Sequence, residues 1–223
     1  MISLMKTSNH VITCTPHLDA FVRKYNTNTT DISSTINTET YQPINKYENE
    51  NILTIGWGGS HSTSKYVYLL KEVLLEVYKK HKFKLLVIGD PLFHIDGLDC
   101  EAIQWVENSE VRDLQRIDIG IYPLPNEEWV LGKSGLKALQ YMALGIPTIA
   151  SAIGANYRVI EDGISGTLVD SDESWKKSIE NYITNPSLRK EHGLKARERV
   201  ESMYSVQANE SVYLEVIEKV IEG

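Results

Sequence analysis

Two short stretches carry residue types suited to holding an anion. The first, GKSGLKALQYMALGIP at residues 132–147, puts Lys133 in a loop and Ser134 where a helix N-cap is expected. Lys137 and Gln140 then fall three apart on one face of the helix that follows. Gly145 and Pro147 end that helix and lead into an apolar run. Two lysines, a serine and Gly135 at a helix N-terminus, where backbone N–H groups lack intrahelical partners, suit a phosphate or a carboxylate. Taken singly, a solvated Lys133 and a Lys137 stem lying over apolar surface explain each lysine as well. The stretch contains no carboxylate of its own.

The second stretch is GWGGSHSTSK at residues 56–65. Gly58 and Gly59 let the backbone approach an anion, Ser60, Ser62 and Thr63 offer hydroxyls, and Lys65 adds charge. A strand-to-helix turn capped by Ser62 or Thr63 is the plainer reading. The glycine spacing breaks at His61, where a dinucleotide fingerprint needs another glycine, and the Walker spacing is absent. Just upstream of the first stretch, YPLPNEEWVLGK brings Glu127 and Glu128, which either accept hydrogen bonds from hydroxyls or sit in solvent. His17, His61, His81, His94 and His192 have no metal-ligand spacing, and Cys14 lies far from Cys100, so neither a metal site nor a disulfide is expected.

The elements around these stretches read as an α/β chain. HVITC is a short strand and PHLDAFVRKY a helix opened by Pro16; residues 26–51 form a polar connector with one candidate strand at 31–33, and a boundary falls near Tyr47. From residue 51 strands and helices alternate. ILTIGW, KLLVIGD, AIQWV, IDIGIYPL and PTIAS are strands; TSKYVYLLKEVLLEVYKKH, NSEVRDLQR, GLKALQYMALG and NYRVIED are helices. Near-continuous apolar strands separated by helices imply a doubly wound parallel sheet covered on both faces, a Rossmann-like arrangement. Three further helices, from residue 172 to 223, follow with no strand expected among them. Both anion-suited stretches then lie at the carboxyl ends of strands, where open parallel sheets bind ligands.

Composition sets the limits. A chain of 223 residues that is 42% hydrophobic and 24% charged can bury a substantial core. With 23 Lys and Arg against 30 Asp and Glu, the net charge of −7 argues against a sequence-independent grip on nucleic acid. The first residues, MISLMKTSNHVITC, have too broken an apolar run for a signal peptide, and no segment has the length and hydropathy of a membrane span, so a reducing cytoplasm is the expected setting.

The stretch IDIGIYPLP, with GLKALQYMALGIPTIASAIGANYRVIEDGISGTLV after it, resembles the C-terminal, donor-binding domain of GT-B glycosyltransferases, in particular the family 4 (group 1) retaining enzymes. The resemblance runs from about residue 51 to 204. HVITCTPHLDAFVRKY and TINTETYQP are similar to the end of such an enzyme's N-terminal domain and its linker, and YSVQANESVYLEVIEKV to the helix that crosses back. The resemblance implies an N-terminal-domain remnant with linker at 1–46, a nucleotide-sugar domain at 47–203 and a crossing helix at 204–223.

It further implies a UDP- or GDP-sugar donor held without a metal ion, its diphosphate near Gly58, Gly59, Lys65 and the helix start at Ser134; Ser60, Thr63, Gly135 and Lys137 are further candidate donor-binding residues. The family's ribose-binding glutamate corresponds to Gln140, and its sugar-contacting glutamate to Gly132, so this chain departs from the pattern twice. A coherent variant has Glu127 or Glu128 reach the sugar, Lys133 neutralise the departing diphosphate and Gln140 bond the ribose. Glu128 and Lys133 are then the candidate catalytic residues. The implied acceptor is a sugar or a lipid-linked sugar, in surface polysaccharide or glycoconjugate synthesis, in the cytoplasm or at the inner face of the membrane. A separate N-terminal-half subunit is the implied partner, with no role for nucleic acid. The alternative is a non-catalytic nucleotide-sugar-binding or interaction subunit.

Overall fold

The computed structural model describes residues 1–44 and 52–222, so the boundary expected near Tyr47 lies outside the described residues. Two parallel sheets form. The small one pairs β1 (Val11–Thr13) with β2 (Thr29–Asp31); α1 (Ile2–Thr7) precedes it and α2 (Pro16–Val22) connects its two strands. Thr15 caps α2 by accepting from Leu18 N at 3.1 Å, with Pro16 in the first turn.

The large sheet has six strands in the order β5-β4-β3-β6-β7-β8, every neighbouring pair parallel. They are β3 (Thr54–Gly58), β4 (Lys84–Ile88), β5 (Cys100–Ile103), β6 (Ile119–Tyr122), β7 (Thr148–Ser151) and β8 (Thr167–Val169). Strand order runs outward one way from β3 and the other way from β6, which makes the β3/β6 boundary the switch point where a crevice opens beyond the carboxyl ends.

Helices cover both faces, as the doubly wound reading requires. On one face α4 (Lys71–Lys80) and α8 (Asp172–Thr184) pack Val73, Leu74, Val77, Trp175 and Ile179 onto Ile55, Leu85, Ile119 and Ile149. On the other, α6 (Leu136–Ala143) and α9 (Pro186–Met203) enclose Leu139, Met142, Ala196 and Val200. Leu114 of α5 (Glu110–Leu114) joins Tyr141 and Leu144 in a third cluster. α3 (His61–Ser64) and α7 (Asn156–Val159) are single turns, and α10 (Val206–Glu222) closes the chain.

Gly120 of β6 makes room for the Tyr141 ring of α6. A Cβ there would come within 2.6 Å of the Tyr141 ring, whose hydroxyl accepts the Gly58 N–H at 2.8 Å. That contact ties the helix to the carboxyl end of β3.

Several local expectations shift. The helix read across residues 63–81 breaks into α3, a 3-10 turn at Val67–Leu70 and α4, and Ser64 at the end of α3 donates its hydroxyl to the buried carboxylate of Asp90. The candidate strand at 31–33 sits two residues earlier as β2, and the strand expected at AIQWV is Cys100–Ile103, so Trp105 and Val106 leave the sheet and are exposed. β8 and α1 were not anticipated. β8 has only three residues on an edge, too few for a periodic signal.

The N-terminal unit docks on the large domain through specific bonds. Arg158 pairs with Asp31 at 2.6 Å and donates to Cys14 O at 2.9 Å; Ser34 Oγ donates to Ser134 Oγ at 2.7 Å. Arg197 bridges the polypeptide after β2 to α6 by donating to Tyr41 O, to Thr38 O at 3.0 Å and to Ala143 O at 2.5 Å.

Candidate functional site

At the switch point a chain of aromatic rings and lysines lines the carboxyl rim. Lys137, in the first turn of α6, lays its stem against Gly59, where a Cβ would come within 2.7 Å of Lys137 Cε, and its Nζ stands 5.6 Å from the Trp57 ring. Glycine at 59 is what lets the lysine in. Lys133 lies 5.0 Å from the Trp129 ring, Trp129 stacks on Tyr66 at 5.9 Å, and Lys65 stands 5.5 Å from Tyr66. Three cations are thus gathered around three aromatic rings, an arrangement that holds positive charge by cation–π attraction.

Lys137 is the perturbed member. Burial first, and Lys133 beside it second, push its pKa down from the ordinary 10.5 to about 8. Both causes disfavour the ammonium.

One turn further along α6, Gln140 belongs to a polar group that the sequence did not reveal. Its Nε2 donates to Tyr41 Oη at 3.0 Å and to Glu110 Oε1 at 3.2 Å. Tyr41 in turn donates to Glu110 Oε2 at 2.7 Å, and Trp105 Nε1 to Glu110 Oε1 at 2.9 Å. Burial, followed by the Glu110 bond, pushes the Tyr41 phenol up to about 12, which keeps it a donor. Glu110 therefore brings a carboxylate to the helix position where the stretch itself has none. It lies thirty residues from Gln140 in sequence, inside a run that read as an ordinary helix, so only the fold joins them.

The other predicted site residues fall as follows. Ser134 is not the N-cap of α6; that position belongs to Gly135, at φ +77, where a side chain would be strained and would meet Val159 at 3.0 Å. Ser134 instead receives the Ser34 bond from the N-terminal unit. Ser60, rather than Ser62 or Thr63, caps α3, and Thr63 closes a capping box with it. The Ser60 hydroxyl bonds those of Ser62 and Thr63, each at 3.0 Å. The N–H groups of Gly58 and Gly59 are directed to Tyr141 Oη and Ile88 O, so these glycines admit neighbours more than they offer donors. Glu127 accepts from Trp129 Nε1 and so orients the ring under Lys133. Glu128 is exposed at the start of a 3-10 turn, Glu128–Gly132. Leu18 of α2 lies 3.6 Å from where a Cβ on Gly132 would stand.

Among the described residues no group of three or more His, Cys, Asp or Glu side chains could hold a metal ion, and no helix is long and apolar enough to cross a membrane. A cavity of about 430 Å³ opens at the opposite end of the sheet, beside Thr54, Asp118 and Pro147, away from this rim.

A six-stranded parallel sheet with a switch-point crevice, C-terminal helices and a docked N-terminal strand pair is a Rossmann-like GT-B fold. Solved structures match it over nearly the whole chain. Anabaena HepE in complex with UDP-glucose superposes with a TM-score of 0.78 at 12% identity, covering 100% of this chain and 66% of that one. A glycosyltransferase from Rickettsia africae gives 0.77 at 17%, covering 99% and 68%.

The chain belongs to the glycosyl transferases group 1 family, whose description matches residues 50–185. Two D-inositol 3-phosphate glycosyltransferases, from Streptosporangium roseum and Paenarthrobacter aurescens, are 30% and 31% identical over 74 and 91 residues. Those matches cover 32% and 40% of this chain but only 16% and 22% of the relatives.

Proposed function

We propose that the chain is the donor half of a retaining glycosyltransferase and binds a nucleoside diphosphate sugar along α6. Lys137 carries the proposal: a cation desolvated against Trp57 and crowded by Lys133 is unfavourable unless an anion fills the space beside it. A diphosphate fits that demand, with Lys65 at the edge of the same rim. Gln140 and Glu110, one turn along, would take the ribose hydroxyls, with Trp105 beside them offering an exposed ring to the base.

Transfer breaks the bond from the sugar's anomeric carbon to the diphosphate oxygen, so negative charge grows on the leaving phosphate. Lys133 and Lys137 would stabilise that charge without a metal ion. Glu128 is the carboxylate we assign to the donor sugar, while Glu127 serves by holding Trp129. The acceptor, a sugar or lipid-linked sugar, would be positioned by another domain or subunit, since transfer requires both substrates held together. Surface polysaccharide or glycoconjugate assembly is the setting this chemistry suits.

Calorimetric titration with UDP, GDP and their sugars tests the reading. Binding of one nucleotide series, lost in Lys137→Met and weakened in Lys133→Ala, is expected. No binding by any of them would overturn it. A second reading, a docking subunit without transferase activity, draws support from the exposed Ile12, Leu214, Ile217 and Ile221. Stable self-association without nucleotide affinity in gel filtration would favour that reading.

A further inference from the structure

We propose that His61 is a ligand-contacting residue of the same rim, aimed by the buried carboxylate of Asp90 so that its Nε2 meets the diphosphate of the donor. The inference rests on the donor reading above and adds to it a residue that neither the lysine cluster nor the Gln140 group includes.

Asp90 follows β4 and is 5% exposed. Its carboxylate accepts from Ser64 Oγ at 2.5 Å, from His61 Nδ1 at 2.9 Å and from Leu92 N at 3.3 Å. The Ser64 bond above all, with His61 and Leu92 assisting against burial, holds the Asp90 carboxyl below the usual range, so the acid is a fixed negative charge. His61 itself has a side chain 78% exposed. A buried acid therefore grips one nitrogen of an imidazole whose remainder faces outward. That bond fixes the proton on Nδ1 and turns Nε2 away from Asp90, the same use of a carboxylate that orients metal-bound and catalytic histidines.

Position links this pair to the lysines. Gly89 packs so tightly on the Gly59 carbonyl that a Cβ could not fit, and Gly59 on its other side borders Lys137. Gly59, two residues before His61, is thus held between the loop after β4 and Lys137. The charged group bonded to the imidazole is Asp90. When neutral, Nε2 is an acceptor for a hydroxyl; when protonated, it donates a charge-assisted bond to phosphate.

The test is titration of wild type, His61→Gln and His61→Lys with UDP-glucose, or with GDP-glucose if only guanine nucleotides bind. Melting temperature serves as the control for folding. His61→Gln is expected to lose about tenfold of the wild-type affinity, and His61→Lys, which keeps a cationic donor there, to retain most of it. His61→Gln indistinguishable from wild type, while Lys137→Met abolishes binding, would overturn this inference and leave the donor reading standing. Wild type that binds no nucleotide sugar would overturn both.

Discussion

Lys137→Met is expected to stabilise the protein while destroying its nucleotide affinity. The lysine's stem lies along Trp57 and Gly59, and methionine keeps most of that packing while removing the ammonium. The distance between the ordinary 10.5 and about 8 corresponds to about 3 kcal/mol of disfavoured charge at neutral pH. Lys137 is only partly buried, which reduces the expected gain to about 1–3 kcal/mol. For a chain of this size that is a rise in melting temperature of about 3–9 °C.

The sign with pH is fixed. The folded value lies below the unfolded one, so between about pH 8 and 10.5 the unfolded chain binds more protons, and wild-type stability rises across that window. The advantage of Lys137→Met should therefore be full at pH 7 and shrink to roughly a quarter by pH 10. Thermal unfolding of both proteins at the two pH values reads this directly. A variant no more stable than wild type at pH 7, or an advantage that does not change with pH, would refute the claim that Lys137 is held charged against its surroundings.

Two other perturbations probe the neighbouring groups. Gln140→Glu puts a second carboxylate 3.2 Å from Glu110 and should cost about 1–2 kcal/mol at pH 7, recovered in the double variant Gln140→Glu/Glu110→Gln; equal stability of the single and double variants would deny that the two side chains meet. Arg158→Ala removes the partner of Asp31 and the donor to Cys14 O, and should cost about 1–3 kcal/mol. Hydrogen exchange should quicken in β1 and β2 with β3 and β6 unaffected; uniform change across both sheets would contradict a local clasp.

The doubly wound sheet was legible because its evidence is local: LLVI and IGIY are unbroken apolar runs, buried throughout in β4 and β6, and Gly145 with Pro147 mark the end of α6. The lysine rim was legible for the same reason, since Lys133 and Lys137 flank one helix start. What escaped depends on distant partners. Tyr41 and Gln140 meet across 99 positions, and Asp90 looks like any residue of a GDP turn until Ser64 and His61 fold onto it. The cap of α6 was misplaced by one residue because Ser134 is the better capping residue by type, yet the turn needs a positive φ that glycine adopts without strain and Ser34 already engages the serine hydroxyl.

The central claim is that the Lys137 and Lys133 pair receives a diphosphate. Binding restores the proton that the empty rim disfavours, so nucleotide binding and proton uptake must be linked. Titrating the protein with its nucleotide sugar near pH 8.5, in buffers of differing ionisation enthalpy, measures that uptake. The expected result is uptake of roughly three-quarters of a proton per ligand, falling towards zero near pH 6.5. Binding with no uptake at pH 8.5 would place the diphosphate elsewhere and contradict the account.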